Sequence, residues 1–493
     1  LAPDDSEGLD WQLTINRPDA EACSDWLVAT TLPAVDVDGR GFGRYAGHGL
    51  ALLYDCPVEI GVFAQAEFTV RGVPHNLVVS DGGQYDIHRI VSDLEPICAE
   101  HAAMFGELPI TRYLFLTLAT ADGYGGLEHR DSTSLICKRS DLPRAGLGEP
   151  DKGYRQFLAL CSHEYFHLWN VKRIRPLRLA SANLFAEVHT ELLWAFEGIT
   201  SYYDELALTR AGVVDEDAYL ELFAATVTRV VRGSGRLRQS VAESSFDAWT
   251  KFYRQDENAP NAIVSYYAKG ALVGFGLDIT IRQLSVDRLS LDDLMRELWR
   301  RHGRPAIGVQ ERSIERVVAE LVGQSFDDFF ARYVYGTEEL PLAEWFAAVG
   351  VGFRLRPAAD VEDLGGNRAE APRESAGPAL GARYEIRPEG LRIAQALTGG
   401  AAQVAGLSAG DLLIALDGER VTASNLADLL QRAARGSVEI HYFHRDRLIS
   451  AQMPVQQAPN DTCDLWRLSG EAVSPEALAR RTSWLGPSRR RAS

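Results

Sequence analysis

The spacing of apolar residues changes along the chain and divides it into regions. Up to about residue 85, short apolar runs alternate with Gly, Pro and Asp, a pattern typical of β-strands. These runs include Gly49–Tyr54, Ala66–Arg71 and Asn76–Ser80. From Tyr85 to about Gly106 the apolar residues recur at helical spacing. The pattern therefore predicts a β region over residues 1–85, followed by a helix.

Two further strands, Tyr113–Leu118 and Ser132–Cys137, are predicted on either side of the glycine-rich stretch Gly123–His129. Because a glycine backbone can approach an extended peptide closely, a glycine-rich turn that leads into an edge strand suits a peptide cleft. From Glu197 to about residue 350 the pattern is mainly helical. We expect residues 86–356 to form one mainly α domain that contains this cleft.

A change of composition separates this domain from the last part of the chain. Residues 357–378 contain Ala, Asp, Gly, Pro and Arg with few apolar residues, which is typical of a linker. Residues 379–457 alternate strand patterns with one helical pattern and predict a compact module. The linker predicts that this module folds independently, and residues 458–493 are left as a C-terminal tail. The expected fold class is multidomain α+β.

Composition limits the function classes. At 493 residues and 46% hydrophobic content, the chain is long enough for about three domains. Its net charge of −17 argues against a nucleic-acid partner, which requires a clustered basic surface. The basic run Arg489–Arg491 is more typical of a solvated tail. No apolar run is long enough to cross a bilayer, so no membrane span is expected.

The sequence constrains the cellular compartment less. The chain begins at Leu1 without a methionine or a secretory signal, so we expect that its natural start is missing. Its six cysteines are scattered and form no CxxC motif. This favours a reduced, cytoplasmic protein and leaves a periplasmic one as the alternative.

The stretch His163-Glu164-Tyr-Phe-His167 predicts a metal site. Residues four apart on a helix lie on one face, so both imidazoles can reach a single metal ion. Imidazole suits zinc, and a catalytic zinc takes three protein ligands. Glu164 lies beside the first histidine, where its carboxylate can take a proton from water. Because apolar residues flank the motif, an exposed helix that carries these residues by chance is the weaker alternative.

Glu197 is the predicted third ligand. It is the single carboxylate in the apolar, aromatic stretch Trp194–Tyr203, where exposure to solvent is unfavourable. On a second helix packed against the first, it would complete a His/His/Glu site. The alternative is a helix-start glutamate that binds backbone donors, and Glu187 and Glu191 are competing ligand candidates.

The stretches His163–Pro176 and Leu193–Tyr203 together resemble the glycyl aminopeptidase family of zinc metallopeptidases, relatives of aminopeptidase N that carry a PDZ domain. The resemblance runs from the middle of the first domain to the end of the chain. It implies an N-terminal β domain, expected to lack its opening part, a thermolysin-like catalytic domain and a C-terminal PDZ domain. It also implies one zinc ion per chain on His163, His167 and Glu197, with Glu164 as the general base.

The resemblance extends to the glycine-rich stretch. Aminopeptidase N and its relatives have Gly-x-Met-Glu-Asn there, and its glutamate binds the α-ammonium of the substrate. Gly125-Gly126-Leu-Glu128-His129 is similar and departs from that motif at His129. The resemblance implies that Glu128 binds the substrate's amino terminus and that Gly125 and Gly126 contact the peptide. The alternative for Glu128 is a solvent-facing strand residue. His129 is expected to be a supporting or surface histidine, and the alternative is a group close to the metal.

The same relatives have a Tyr-x-Lys-Gly motif whose tyrosine donates a hydrogen bond to the oxyanion. Tyr267-Ala-Lys-Gly270 matches it, and Tyr266 is the immediate rival. A phenol suits this role because it is neutral at pH 7 and can donate to a developing negative charge. A core tyrosine on a helix is the structural alternative.

Residues 402–411 carry an Ala-x-x-Ala-Gly-Leu-x-x-Gly-Asp signature that resembles the PDZ domains of bacterial proteases. By that resemblance, the loop Ala379–Ala382 would receive the C-terminal carboxylate of a peptide. A PDZ fold that only packs against the catalytic domain is an equal alternative.

These residues predict a zinc-dependent aminopeptidase, and the family implies small first residues such as Gly or Ala. The expected partners are a peptide substrate and a peptide C-terminus at the PDZ domain. One alternative is a thermolysin-type endopeptidase that has the same centre but no amine anchor. Another is a non-catalytic PDZ binding protein with a structural metal, against which Glu164 argues because a structural site needs no base.

Overall fold

The computed structural model describes residues 8–182, 185–360, 362–368, 370, 377–433 and 436–487. Parts of the predicted linker and the basic run at Arg489–Arg491 lie outside these residues. Two large hydrophobic cores are present within them. The first combines residues between Ala66 and Val351 with residues from Cys463 onward, and the second lies between Leu380 and Met453.

The chain starts with short strands and one short helix: β1 (Asp10–Ile15), β2 (Leu27–Thr30), β3 (Ala34–Val37), β4 (Gly43–His48), α1 (Leu50–Tyr54) and β5 (Val58–Gly61). They form the antiparallel sheets β1–β4–β3 and β2–β5. The prediction of a strand over Gly49–Tyr54 is wrong, because this run forms α1. Its apolar residues are consecutive, and periodicity alone cannot distinguish a helix from a strand in such a short run.

A five-stranded sheet begins the first core. Its strands are β6 (Phe63–Val70), β7 (Val73–Ser80), β8 (Tyr113–Thr120), β9 (Gly125–Glu128) and β10 (Ser132–Lys138). Their order is β6–β7–β8–β10–β9; the β7–β8 and β8–β10 pairs are parallel, and the outer pairs are antiparallel. The glycine-rich stretch predicted as a turn therefore contains β9, a strand at the edge of the sheet.

Helices form the rest of this core, as the pattern predicts. They are α2 (Ile87–Phe105), α3 (Lys152–Phe166), α4 (Leu177–Ala180), α5 (Ile199–Arg210), α6 (Glu216–Arg232), α7 (Val241–Phe246), α8 (Ala259–Ala262), α9 (Ala268–Leu284), α10 (Leu291–Leu298), α11 (Ser313–Val322), α12 (Asp327–Tyr333) and α13 (Leu342–Ala348). A π-helical turn, Trp194–Gly198, leads directly into α5. None of the helices among the described residues combines the length and the apolar composition needed to cross a membrane.

Local sequence explains where the metal-motif helix begins. The side chain of Asp151 accepts a hydrogen bond from the backbone N–H of Tyr154, which caps the start of α3. Phe157, Leu158 and Cys161 are buried in the first core, so the apolar positions of α3 fix its rotation about its axis. The histidines of the motif therefore lie at the C-terminal end of a well-anchored helix.

The second core is a β module. Two strands precede it, β11 (Val351–Arg356) and β12 (Gly366–Asn367). The module itself contains β13 (Pro378–Ala379), β14 (Ala382–Arg387), β15 (Gly390–Ala396), α14 (Ala401–Val404), β16 (Leu412–Leu416), β17 (Glu419–Arg420), α15 (Leu426–Arg432), β18 (Ser437–His444), β19 (Arg447–Pro454) and β20 (Gln456–Gln457). The main sheet has the order β14–β15–β16–β18–β19, with β17 paired to β16, and β13 pairs with β20. The strands β11 and β12 lie outside this module. The multidomain α+β class is thus confirmed.

The end of the chain returns to the first core through β21 (Thr462–Arg467) and α16 (Pro475–Leu485). β21 pairs antiparallel with β11 and parallel with β12. Trp484 is fully buried, and its indole N–H donates a 2.8 Å hydrogen bond to the hydroxyl of Tyr202. The expectation of a tail over residues 458–493 is therefore wrong for Thr462–Leu485, because this segment supplies apolar surface that the first core requires.

The segment that follows β11 is also attached to the first core. Arg356 forms ion pairs with Asp363 at 2.5 Å and with Asp464 of β21 at 2.9 Å, and all three side chains are nearly buried. Arg232 of α6 donates to the carbonyl oxygen of Asp363 and to the hydroxyl of Thr462. The described part of the predicted linker up to residue 368 is therefore a folded part of this core.

We predict that the β module can be removed but that the C-terminal segment cannot. Replacing residues 377–458 with a short flexible linker retains β21 and α16, so Tm should change by less than about 5 °C. A chain that ends at Ala358 loses both elements and exposes the surface that Trp484 covers, so it should be unfolded or insoluble. Circular dichroism and thermal unfolding compare the two variants. A stable, cooperatively folded chain ending at Ala358 would contradict the structural role of the C-terminal segment.

Candidate metal centre

Three predicted ligands converge between α3 and the π-helical turn before α5. The Nε2 atoms of His163 and His167 lie 3.3 Å and 3.2 Å from the same Oε2 atom of Glu197. All three donor atoms lie within 4.8 Å of one another. Among the described residues, neither Glu187 nor Glu191 belongs to a group that could hold a metal ion. The structure therefore brings together the three residues that the sequence selected.

The position of Glu197 depends on an unusual backbone arrangement. Glu197 lies in the π-helical turn, a rare conformation that is often found at functional sites. A Cβ atom on Gly198 would lie only 2.5 Å from the Cα atom of Gly270 in α9. The two backbones are thus in direct contact, which only glycine permits. This contact also brings Tyr267, at the start of α9, beside Glu197.

The second nitrogen of each imidazole has a fixed partner. His163 Nδ1 lies 3.0 Å from Oδ2 of Asp204, and His167 Nδ1 donates to the backbone carbonyl of Asn170 at 2.8 Å. These contacts hold the rings so that both Nε2 atoms face Glu197. The sequence analysis did not assign a role to Asp204 or Asn170. Asp204 could have been found as a second carboxylate on the helix that follows Glu197, whereas a backbone carbonyl leaves no signal in the sequence.

The site contains more buried negative charge than its own residues can compensate. Four carboxylates, those of Glu128, Glu164, Glu197 and Asp204, lie around two imidazoles. In the part of the chain that the structure describes, none of these carboxylates forms an ion pair with Lys or Arg. Buried charges need a partner, so the arrangement favours a bound cation.

The donor set fits zinc. Burial opposes ionisation of Glu197, but His167 and His163 outweigh it and lower the pKa of this carboxyl to about 2. Burial raises the pKa of Glu164 to about 7 despite the neighbouring histidines, and its buried Oε2 atom has no hydrogen-bond partner in the described part of the chain. An ionised carboxylate and two imidazoles are ligands that a catalytic zinc takes, and Glu164 remains outside this set.

Strand β9 forms one wall of the site. A Cβ atom on Gly126 would lie 2.1 Å from Oε1 of Glu164, so this glycine packs directly on the predicted base. A Cβ atom on Gly125 would have open space around it. Glu128, at the end of the strand, has a carboxylate oxygen within 4.8 Å of ligand atoms of both Glu164 and His167. The structure therefore places Glu128 at the metal centre.

Asp55 of the N-terminal region holds the end of β9. Its carboxylate lies 2.7 Å from Nζ of Lys172 and 3.4 Å from Nδ1 of His129, and it accepts the backbone N–H of Arg130. Burial opposes ionisation of Asp55, but His129 and Lys172 lower the pKa of its carboxyl to about 2. Lys172 also contacts the carbonyl of Glu128 at 3.4 Å. His129 thus contacts Asp55 and, among the described residues, is in no group that could bind a metal ion.

Tyr267 lies beside the first ligand. Its ring centroid is 6.1 Å from that of His163. Burial and the charge of Glu197 raise the pKa of Tyr267, so its hydroxyl stays neutral and can donate a hydrogen bond. The rival Tyr266 is fully buried and stacks on Tyr267, and each hydroxyl lies 3.3 Å from that of Tyr253.

Comparisons with known proteins agree with this geometry. Residues 156–273 match the model of the M61 glycyl aminopeptidase family, and residues 392–441 match a PDZ domain. The structure is similar to the crystal structure of an aminopeptidase N family protein from Idiomarina loihiensis, with 37% sequence identity and a TM-score of 0.90. The similarity covers 98% of this chain and 80% of that one. The chain belongs to the M61 glycyl aminopeptidase family.

A more distant similarity is to an M1 zinc metallopeptidase from Deinococcus radiodurans, with 13% identity and a TM-score of 0.45 over 68% of this chain and 65% of that one. A mutant of an M1 zinc metallopeptidase from the same organism, bound to a Tyr-Ser-Ala substrate, gives 14% identity and a TM-score of 0.44 over 68% and 65%. No curated protein matches the chain.

This member of the M61 family is a metallo-aminopeptidase whose cofactor is zinc, which the two-histidine, one-glutamate set fits. The predicted family, the peptidase activity and the PDZ domain are thus confirmed. The alternative of a non-catalytic PDZ binding protein is wrong for this chain.

Contact between β9 and the base can be tested with a pair of glycine variants. Gly126→Ala forces the carboxylate of Glu164 to move, so kcat should fall by more than about tenfold while bound zinc and Tm stay close to wild type. Gly148→Ala is the matched control, because its methyl group meets no atom within 4 Å and the residue is exposed outside the site. Metal analysis and steady-state kinetics measure both. Equal kcat values for the two variants would show that β9 does not position Glu164.

Proposed function

We propose that this M61 glycyl aminopeptidase removes a single small residue, such as Gly or Ala, from the amino terminus of peptides. One zinc ion per chain is held by His163, His167 and Glu197. The observation that carries the proposal is the carboxylate of Glu128 next to this centre, which forms no ion pair with a Lys or Arg that the structure describes. The preference for a small first residue is supported by the description of the family that matches residues 156–273.

Zinc supplies Lewis acidity, which polarises a carbonyl group and makes water acidic enough to lose a proton near neutral pH. His163 and His167 present their Nε2 atoms toward it because Asp204 and Asn170 hold the opposite nitrogens. Glu164 acts as the general base, takes a proton from water and returns it to the leaving amine. Its buried, unpartnered Oε2 atom supports this role, since it is available to accept that proton.

Tyr267 donates a hydrogen bond to the oxyanion that forms at the scissile carbonyl. Its position beside His163 and its neutral hydroxyl support this assignment. Tyr253, whose hydroxyl lies 3.3 Å from that of Tyr267, holds the phenol in the cleft until a substrate is bound. Tyr266 is the structural partner that fixes the ring of Tyr267 from behind.

The substrate adds an extended segment along the free edge of β9. Gly125 and Gly126 allow the peptide backbone to approach, and Glu128 at the strand end pairs with the α-ammonium. The carboxylate of Glu128 lies within 4.8 Å of the ligand atom of His167, so about one residue would separate the anchored amino terminus from a carbonyl group at the metal site. The site therefore releases single residues, which distinguishes it from a thermolysin-type endopeptidase.

We also propose a second peptide partner at the PDZ domain. The loop Ala379–Ala382 precedes β14, which lies at the edge of the module's sheet and is open to strand addition. Gly381 in this loop has a φ of +67°, a backbone conformation that glycine adopts readily. The loop is proposed to bind the C-terminal carboxylate of that peptide.

The role of Glu164 predicts a loss of activity without a loss of metal. Glu164→Gln should retain zinc while kcat falls by about a hundredfold to ten-thousandfold, the usual effect of removing a general base. Glu197→Ala should instead lose zinc, and Glu187→Gln should behave as wild type because Glu187 is exposed. Metal analysis combined with kinetics separates the three results. An empty site in Glu164→Gln would show that this residue is a ligand or a structural group.

The role of Glu128 predicts the response to a blocked amino terminus. An acetylated peptide leaves the half-buried Glu128 without its charged partner. Losing a hydrogen bond to a charged group costs about 1.5–3 kcal/mol, so kcat/KM should fall about tenfold to a hundredfold. Glu128→Ala should lower kcat/KM of the free-amine peptide strongly and leave the zinc content unchanged. The measurement is kcat/KM for one peptide in both forms. Equal values in the wild type would establish an endopeptidase in place of the aminopeptidase.

A further inference from the structure

A cavity of about 450 Å³ adjoins the metal centre, and its walls come from four helices and the segment after β11. The lining residues that matter here are Tyr124, Arg155, Glu205, Arg229, Tyr267 and Asp363. Tyr267 connects the cavity to the centre. The size of the cavity is that of a small-molecule or short-peptide site.

The cavity lies on the side of the cleft away from Glu128. Glu128 ends β9, whereas Tyr124 directly precedes this strand and lines the cavity. Helix α3 has the same orientation. His167, just after its C-terminal end, lies near Glu128, and Arg155, near its N-terminal end, lines the cavity. A peptide anchored by Glu128 therefore runs toward Arg155. This direction rests on the proposed function, and it places the leaving part of the peptide in the cavity.

Arg155 shows the features of an anion ligand. Arg155, Ala159 and His163 recur every four residues of α3 and so lie on one face of the helix. The Arg155 side chain is only 12% exposed, and its NH1 atom contacts Oε2 of Glu221 at 3.0 Å. Its Nε atom is buried and has no hydrogen-bond partner among the described residues. A buried donor without an acceptor is unfavourable, so this atom favours binding an acceptor from a ligand.

Arg229 of α6 adds a second positive charge to the cavity. It is exposed, and within the described ranges it forms no ion pair. Of the six carboxylates of the wall, Glu221 pairs with Arg155, Asp363 with Arg356 and Asp204 with His163. Asp360 and Glu362 are exposed to solvent. Burial and the neighbouring Asp204 raise the pKa of Glu205 to about 8, so Glu205 leaves the positive charge of the arginines available at pH 7.

The distance from the metal centre sets the length of the peptide. Arg155 precedes His163 by eight residues of one helix, which corresponds to about 12 Å along its axis. An extended peptide spans about 3.3 Å per residue, so about two to four residues fit between the scissile bond and Arg155. We propose that this cavity binds the leaving part of a short peptide and that Arg155, together with Arg229, binds its C-terminal carboxylate. The substrate class is then short peptides of about three to five residues with a free C-terminus.

Direct binding of tri-alanine tests this proposal. Isothermal titration compares tri-alanine with its C-terminal amide on the full-length, zinc-loaded Glu164→Gln variant, which does not consume the peptide. The acid should bind about tenfold to a hundredfold more tightly, because the amide loses a charge-assisted hydrogen bond. Adding Arg155→Met should remove this difference. The matched control is Arg238→Met, which replaces an exposed arginine that does not line the cavity.

Equal Kd values for the acid and the amide would overturn the proposal, and this comparison needs no change at Arg155. A difference that persists in Arg155→Met and in Arg229→Met, with both variants folded by circular dichroism, would also overturn it. The acetylation test of Glu128 is independent, because it alters the other end of the peptide. Loss of discrimination between free and acetylated amines would contradict the proposed function, whereas loss of discrimination between acid and amide would contradict only this inference.

Discussion

The central constraint on this structure is the negative charge of the carboxylates at the metal centre, which must be balanced by positive charge. Four carboxylates and two imidazoles meet where α3, the π-helical turn and β9 come together, and no Lys or Arg of the described residues pairs with those carboxylates. Desolvating such groups is unfavourable unless cations are bound. Zinc compensates the charge near His163, and the α-ammonium of a substrate would compensate the charge of Glu128. The carboxylates that are unfavourable to bury thus provide the binding site for a metal ion and, in the proposed function, for the α-ammonium.

Close backbone contacts make this arrangement possible. Gly198 touches Gly270, and Gly126 lies against Glu164, so side chains larger than hydrogen would separate the elements that carry the site. Because these elements are in contact, the polar side chains of α3, the π-helical turn and β9 meet at the metal centre. The surrounding aromatic core, with Tyr165 and Trp194 fully buried, keeps these elements rigid.

The peptidase domain is completed by residues from the far end of the chain. β21 and α16 return to it after the PDZ module, and Arg356 ties the segment before the module to β21 through Asp464. Part of the same segment, including Asp363, lines the cavity beside the metal centre. The PDZ module is therefore inserted into the peptidase domain, and the described part of the segment before it lies near the proposed leaving-peptide site.

The sequence alone determined what depends on local spacing. His163 and His167 lie on one helical face because they are four residues apart, and the apolar setting of Glu197 marked it as a ligand candidate. The assignments of roles remain predictions. Tertiary structure alone decided what depends on distant contacts. Four features involve partners far apart in the chain. They are the π-helical turn, the support of His163 by Asp204, the contacts of Asp55 at the end of β9 and the return of Trp484 to the first core. Periodicity and local composition predict which residues share one face of a helix or strand. They do not predict which distant segment of the chain packs against that face.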